Sequence, residues 1–163
     1  MNVIAFPNEI KNSDIEWVGG KSIALSEMSR QGFAIPRFIC VTTEAYDRYV
    51  SETGLRPRIQ LELKRKEFQD MRWEEIWDAS LRIRNMFLQK PIPDHLGNSI
   101  KKAYQSIFHG APIVIRSSAP AEDAQGSSFA GLHESYVNIS GDDSVIEHIK
   151  LVWASLWSDA ALL

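Results

Sequence analysis

Two short segments set glycine or other small residues beside a basic side chain, a combination suited to holding phosphate. The first is VGGKS, in which Gly19 and Gly20 precede Lys21. Glycines let backbone N–H groups approach a ligand closely, a following helix start presents unpaired N–H groups, and a lysine supplies a mobile positive charge. The segment lacks the full spacing of a P-loop, and a Gly-Gly pair ahead of a helix also occurs as a plain turn. The second is VIRSSAPAEDAQGSSFAGLHES, where Arg116 leaves the end of an apolar run. A guanidinium in that position can grip phosphate oxygens in a two-pronged way. The Ser-, Ala- and Gly-rich loop beyond it can fold over a polyphosphate and donate backbone N–H groups without side-chain clash. The alternative is a surface loop in which Arg116 pairs with Glu122 or Asp123.

The elements that must position these residues are legible in the apolar spacing. After VGGKS comes a helix-like run with Ala24, Leu25 and Met28 on one side, closed by Gly32. Pro36 leads into a short apolar run from Phe38 to Val41, read as a buried strand, after which Thr42 or Thr43 caps a helix carrying Tyr46, Tyr49 and Val50. Residues 51–70 are polar and read as a solvated helix or a connector. Trp73, Ile76, Trp77, Leu81, Phe87 and Leu88 describe an amphipathic helix that Pro91 and Pro93 end. If Trp77 faces a packed core, its loss should cost about 3–5 kcal/mol. A further helix carries Leu96, Ile100, Ala103, Tyr104 and Ile107 and stops near Gly110. Ile113, Val114 and Ile115 in succession predict a strand buried on both faces. HESYVNIS predicts another strand, and a last helix carries Ile146, Ile149, Trp153, Leu156 and Trp157.

Composition narrows the setting. The 163 residues suit one folding unit, with hydrophobic and charged shares of 44% and 24% that permit a packed core. The formal charge of -3 gives no overall attraction to nucleic acid or an anionic membrane, so any anion site is local. Cys40 is the single cysteine, which excludes an internal disulfide and a cysteine metal cluster and fits a reducing, cytoplasmic setting. No basic patch with a long apolar run opens the chain, so neither export nor membrane insertion is expected.

Other chemistry-bearing side chains have plainer readings. Cys40 on a buried strand reads as a small core residue. His95, His109 and His148 lack ligand spacing, so no metal site is expected from them. Trp73, Trp77, Trp153 and Trp157 read as core or lobe-interface residues. Glu122 and Asp123 could orient Arg116, approach magnesium or cap the loop.

The two basic segments occur together and in order. VGGKSIALSEMSRQGFAIPRFICVTTEAY resembles the opening of the nucleotide-binding domain of the phosphoenolpyruvate synthase and pyruvate phosphate dikinase family, with its GGK helix, glycine, proline and TT-x-AY strand exit. IVIRSSAPAEDAQGSSFAGLHESYVNISG is similar to that family's RSSA-x-x-ED segment, S-F-A-G loop and strand ending in a V-N or L-N turn. ASLWSDAAL resembles its A-S-L-[FW] helix, so the resemblance covers nearly the whole chain.

That resemblance implies an α/β (α+β) fold of short buried strands and amphipathic helices. Residues 1–163 would form the N-terminal part of an ATP-grasp domain, ending before its second half. ATP would lie between two lobes. Lys21 would contact phosphate or the nucleotide, Arg116 would clamp phosphates, and Gly131 would offer backbone contact. Ser135 stands where family members often place a threonine facing the nucleotide, and Ser128, Phe129 and Ala130 would belong to the phosphate-covering loop. Leu132 replaces a common glutamine, and His133 falls within the loop motif, where packing or a loop hydrogen bond suits it better than phosphorylation. Mg2+ is expected in the complete protein, with ligands outside this chain. The implied function is the ATP-binding portion of a dikinase-like phosphotransferase, inactive alone. It would pass phosphoryl to a histidine on another domain and then to pyruvate or, in related rifampin phosphotransferases, to an antibiotic. The alternatives are a stand-alone non-catalytic nucleotide-binding or regulatory protein of the same fold, or a fragment of a rifampin phosphotransferase.

Overall fold

Helices form where three- and four-residue apolar spacing demands them, and short extended segments link them. The computed structural model describes residues 2–118 and 134–162. In chain order these form β1 (Ile4–Ala5), α1 (Ile15–Arg30), β2 (Cys40–Val41), α2 (Thr43–Glu52), α3 (Leu55–Leu63), α4 (Trp73–Gln89), α5 (Asp94–Phe108), β3 (Ile113–Arg116), β4 (Ser135–Ile139), α6 (Asp142–Ser155) and α7 (Asp159–Leu162). The strands pair as two separate antiparallel ribbons, β1 with β2 and β3 with β4. The mixed helix-and-strand class expected from the sequence is therefore the one observed. The polar stretch 51–70 is largely helical, and α3 buries Leu55 and Ile59.

The first ribbon partitions the interior. Opposite faces of a strand alternate residue by residue, so Ile4 and Val41 turn to the larger core while Ala5 and Cys40 turn to a smaller cluster with Ile10 and Val18. The larger core is organised around Tyr49. Its ring stacks on Trp153 at 5.1 Å and tilts against Phe87 at 5.8 Å, which ties α2 to α6 and α4. Its hydroxyl lies 3.0 Å from the Phe87 carbonyl and 2.9 Å from the Lys90 carbonyl, supplying a donor to acceptors at the end of α4. Both α4 and α5 pack on α6, the central helix of this layer.

Two expectations need correction. The buried face of α4 is Ile76, Ala79, Ser80, Ile83 and Phe87, whereas Trp73 is 58% and Trp77 45% exposed. The helix carries apolar residues on two adjacent stripes, and only one can face the core; Trp153 on α6 is buried as expected. On α1 the covered residues are Val18, Gly19, Ser22 and Ser26, while Ala24 and Met28 lie outside. Small side chains let this helix sit close to its neighbours.

The second correction concerns β3, which is covered on one face only. Ile113 and Ile115 pack against the larger core, but Val114 is 54% exposed. A two-stranded antiparallel ribbon has a solvated side, unlike the doubly covered strand of a parallel sheet. Between the Ile113–Ile139 and Ile115–Tyr136 pairs, β4 uses one residue more than β3, and Asn138 takes a positive φ of 60°. This bulge keeps Ile139 turned inward and leaves Val114, Arg116, Ser135 and Val137 on the open side.

Phe87→Ala should therefore destabilise the chain by about 3–5 kcal/mol, and Trp77→Ala should cost clearly less. Urea midpoints of the two variants against the parent check this; equal shifts would place Trp77 in the core after all.

Candidate phosphate site at the junction of α1 and β3

The helix α1 is broken near its start. Gly19 has φ 74° and ψ 165°, a conformation open essentially to glycine alone, and helical geometry resumes after it. A Cβ built on Gly19 would stand 1.6 Å from the Ser118 carbonyl oxygen. Glycine is thus required twice over, by the backbone angle and by the approach of the chain that follows β3. The Gly-Gly pair is a structural junction as well as a turn.

Around this contact the two segments singled out in the sequence come together. Lys21 Nζ donates to the Ser117 carbonyl at 3.3 Å, one residue beyond Arg116. The Ser118 hydroxyl donates to the Val18 carbonyl at 2.9 Å and lies 3.2 Å from both the amide nitrogen and the hydroxyl of Ser22. A serine from the far end of the chain thereby covers an N–H group at the renewed start of the helix, the role that an N-cap residue normally fills locally. Beneath lies Cys40, buried in the smaller cluster, with its thiol 3.5 Å from the Val18 carbonyl. Burial pushes the Cys40 thiol above its usual range, and a hydrogen bond with Ser22 offsets part of that shift.

Arg116 and Ser135 stand directly opposite each other in the β3–β4 register, both exposed on the open side of the ribbon. Among the described residues Arg116 forms no ion pair or side-chain hydrogen bond. The expected roles of Gly131, Ser128, Phe129 and Ala130, and the possible pairing of Arg116 with Glu122 or Asp123, fall outside the described residues, as do Leu132 and His133. On the near side of that segment Ser118 is held by α1. On the far side Glu134 pairs with Arg84 of α4 at 3.1 Å, accepts a hydrogen bond from the Tyr136 hydroxyl, and its N–H lies 3.5 Å from the Ser155 hydroxyl. Among the described residues, no group of three or more His, Cys, Asp or Glu side chains could hold a metal ion.

Lys21, Arg116 and Ser135 are thus gathered around the end of β3 and the start of β4. Ser22 and Ser118, which fasten them there, were not singled out from the sequence. The signal lay in the small residues at positions 19, 22 and 26, spaced along one face of α1.

Basic side chains at the exit of a strand, beside a glycine-broken helix start, make this junction a candidate anion site. The sequence places the chain within a family. The profile described as "Pyruvate phosphate dikinase, AMP/ATP-binding domain" matches residues 15–163, and the chain belongs to that family. It is similar to the phosphoenolpyruvate synthase of Aeropyrum pernix, with 38% identity over 98% of this chain and 20% of that protein. It is also similar to the phosphoenolpyruvate synthase of Escherichia coli, with 31% identity over 98% of this chain and 21% of that protein. The rifampicin phosphotransferase of Bacillus subtilis is 31% identical over 96% of this chain and 18% of its own length. The chain thus spans about a fifth of the length of these relatives.

Two outcomes follow from the junction. Gly19→Ala is expected to cost about 2–5 kcal/mol from backbone strain and overpacking together. Gly54→Ala, at φ 69° with nothing near its Cβ position, should cost only about 1–2 kcal/mol. Equal denaturation midpoints for the two variants would show that Ser118 does not press on Gly19. The Cys40 thiol should react with a thiol reagent at pH 8 far more slowly in the native chain than in urea. Because its folded pKa is raised, its contribution to stability is fully present below the unfolded thiol pKa and is lost as pH rises through the folded one. Native labelling as fast as unfolded labelling would contradict this burial.

Proposed function

We propose that this chain is the ATP-binding portion of a dikinase-like phosphotransferase and that the phosphates of ATP lie at the junction of α1 and β3. The observation that carries the reading is the contact of Lys21 with the Ser117 carbonyl. It brings a lysine from one end of the chain beside the arginine at the end of β3. Membership of an AMP/ATP-binding family supplies the ligand class, and two basic groups at one place supply the charge.

In this reading Arg116 clamps phosphate oxygens, Lys21 leaves the Ser117 carbonyl for the ligand, and Ser135 faces the nucleotide from the opposite strand. Gly131 would add a backbone contact, and Ser128, Phe129 and Ala130 would cover the phosphates. Mg2+ would accompany ATP, but the described residues do not fit a metal site of their own, so its protein ligands are expected elsewhere. The complete protein would supply a second ATP-grasp half and a domain whose histidine accepts the phosphoryl group. Relatives named for phosphoenolpyruvate synthesis and for rifampicin phosphotransfer match this chain at the same 31% identity. In this reading the final acceptor would be chosen outside this domain. A cytoplasmic setting, which a single cysteine fits, belongs to the same proposal.

Calorimetric titration with Mg-ATP tests the assignment. Arg116→Ala and Lys21→Ala should each weaken binding by about 1.5–3 kcal/mol, the scale of a hydrogen bond to a charged group. Arg116→Lys should recover only part, because an ammonium cannot reproduce the planar fork. Unchanged affinity in both alanine variants would remove the junction from the nucleotide site.

A further inference from the structure

The hydroxyl of Ser118 reaches both ends of the glycine turn. It donates to the carbonyl of Val18, before Gly19, and accepts from the amide of Ser22, after Lys21. A serine hydroxyl has one donor and two acceptor sites, and the Ser22 hydroxyl at 3.2 Å supplies the further partner. Residues 19–21 are therefore spanned by bonds to a single oxygen atom. That oxygen belongs to a residue two positions beyond Arg116, on the same strand exit.

We infer that Ser118 is a positioning residue for nucleotide binding, fixing the backbone of Lys21 relative to Arg116 so that both face one polyphosphate. The inference rests on the ATP-binding reading of this junction and adds a residue that makes no ligand contact of its own. Two long basic side chains lose conformational freedom when they grip a ligand, and a fixed base for each reduces that cost. The buried surroundings favour such a pin. Ser22 and Ser117 are both buried, and Gly19 leaves no room for the chain to slide past the Ser118 carbonyl.

The test is a double-mutant cycle on this chain, read as Mg-ATP affinity by calorimetry. Ser118→Ala alone should weaken binding about tenfold, the scale of one or two net hydrogen bonds. The same substitution in a Lys21→Ala background should add little, because the group being positioned is already gone. A general loosening of the fold would lower affinity equally in both backgrounds, and that result would overturn the inference. Unchanged affinity in Ser118→Ala, with the parent chain binding normally, would overturn it too. Should Ser118→Ala fail to fold, Ser22→Ala removes one of the three bonds, and the cycle is read in the same way. A parent chain that binds no ATP would overturn the functional reading and this inference with it, an outcome distinct from normal parental binding.

Discussion

The approach of the Ser118 carbonyl to Gly19 is the constraint on which the candidate site depends. It joins segments about a hundred residues apart at a distance that no Cβ would permit. Such a contact is expensive to form in an unfolded chain, since a long loop must close before any local bond is gained. It is held here by the Ser118 hydroxyl, by Lys21 and by the small cluster beneath, each modest alone. Lys21 and Arg116 come together because backbones can touch at this point.

The rest of the molecule supplies rigid walls for that junction. The β1–β2 ribbon separates two apolar clusters, so α1 is anchored from below by Val18, Ala5, Ile10 and Cys40. The opposite wall is the layer of α2, α4 and α6 around Tyr49. There a buried hydroxyl satisfies the end of one helix while its ring packs on another. Glu134, through Arg84 of α4, and Ser118, through Val18 of α1, are fastened to different walls. A site built between separately anchored elements gives each basic side chain a fixed base, which reduces the ordering needed to meet a shared anionic ligand.

Much of this was legible in the residues. The glycine pair, Lys21, the apolar run ending at Arg116 and the helical spacing of Leu96, Ile100 and Tyr104 each depend on local rules of backbone and periodicity, and each stands in the structure where those rules put it. Family membership was legible for the same reason, because motifs at both ends of the chain carry it. The misread elements share one cause. Trp73 and Trp77 match a helical period as well as Ile76 and Ile83 do, and Val114 is as apolar as its neighbours. Periodicity reports that a face is apolar and is silent about which face finds a partner.

The sequence by itself therefore determined most of the helices, the strands at Cys40–Val41, Ile113–Arg116 and Ser135–Ile139, and the residue types able to hold phosphate, since these follow from interactions within a few residues of each other. Only the tertiary structure decided which stripe of α4 is covered, that β3 is half of an open ribbon, and that a bulge at Asn138 sets Ser135 opposite Arg116. It alone decided that Ser118 caps a helix begun a hundred residues earlier. Those outcomes turn on contacts between distant segments, where the entropy of closing the chain and the exclusion of a single Cβ select among patterns that look equivalent along the sequence.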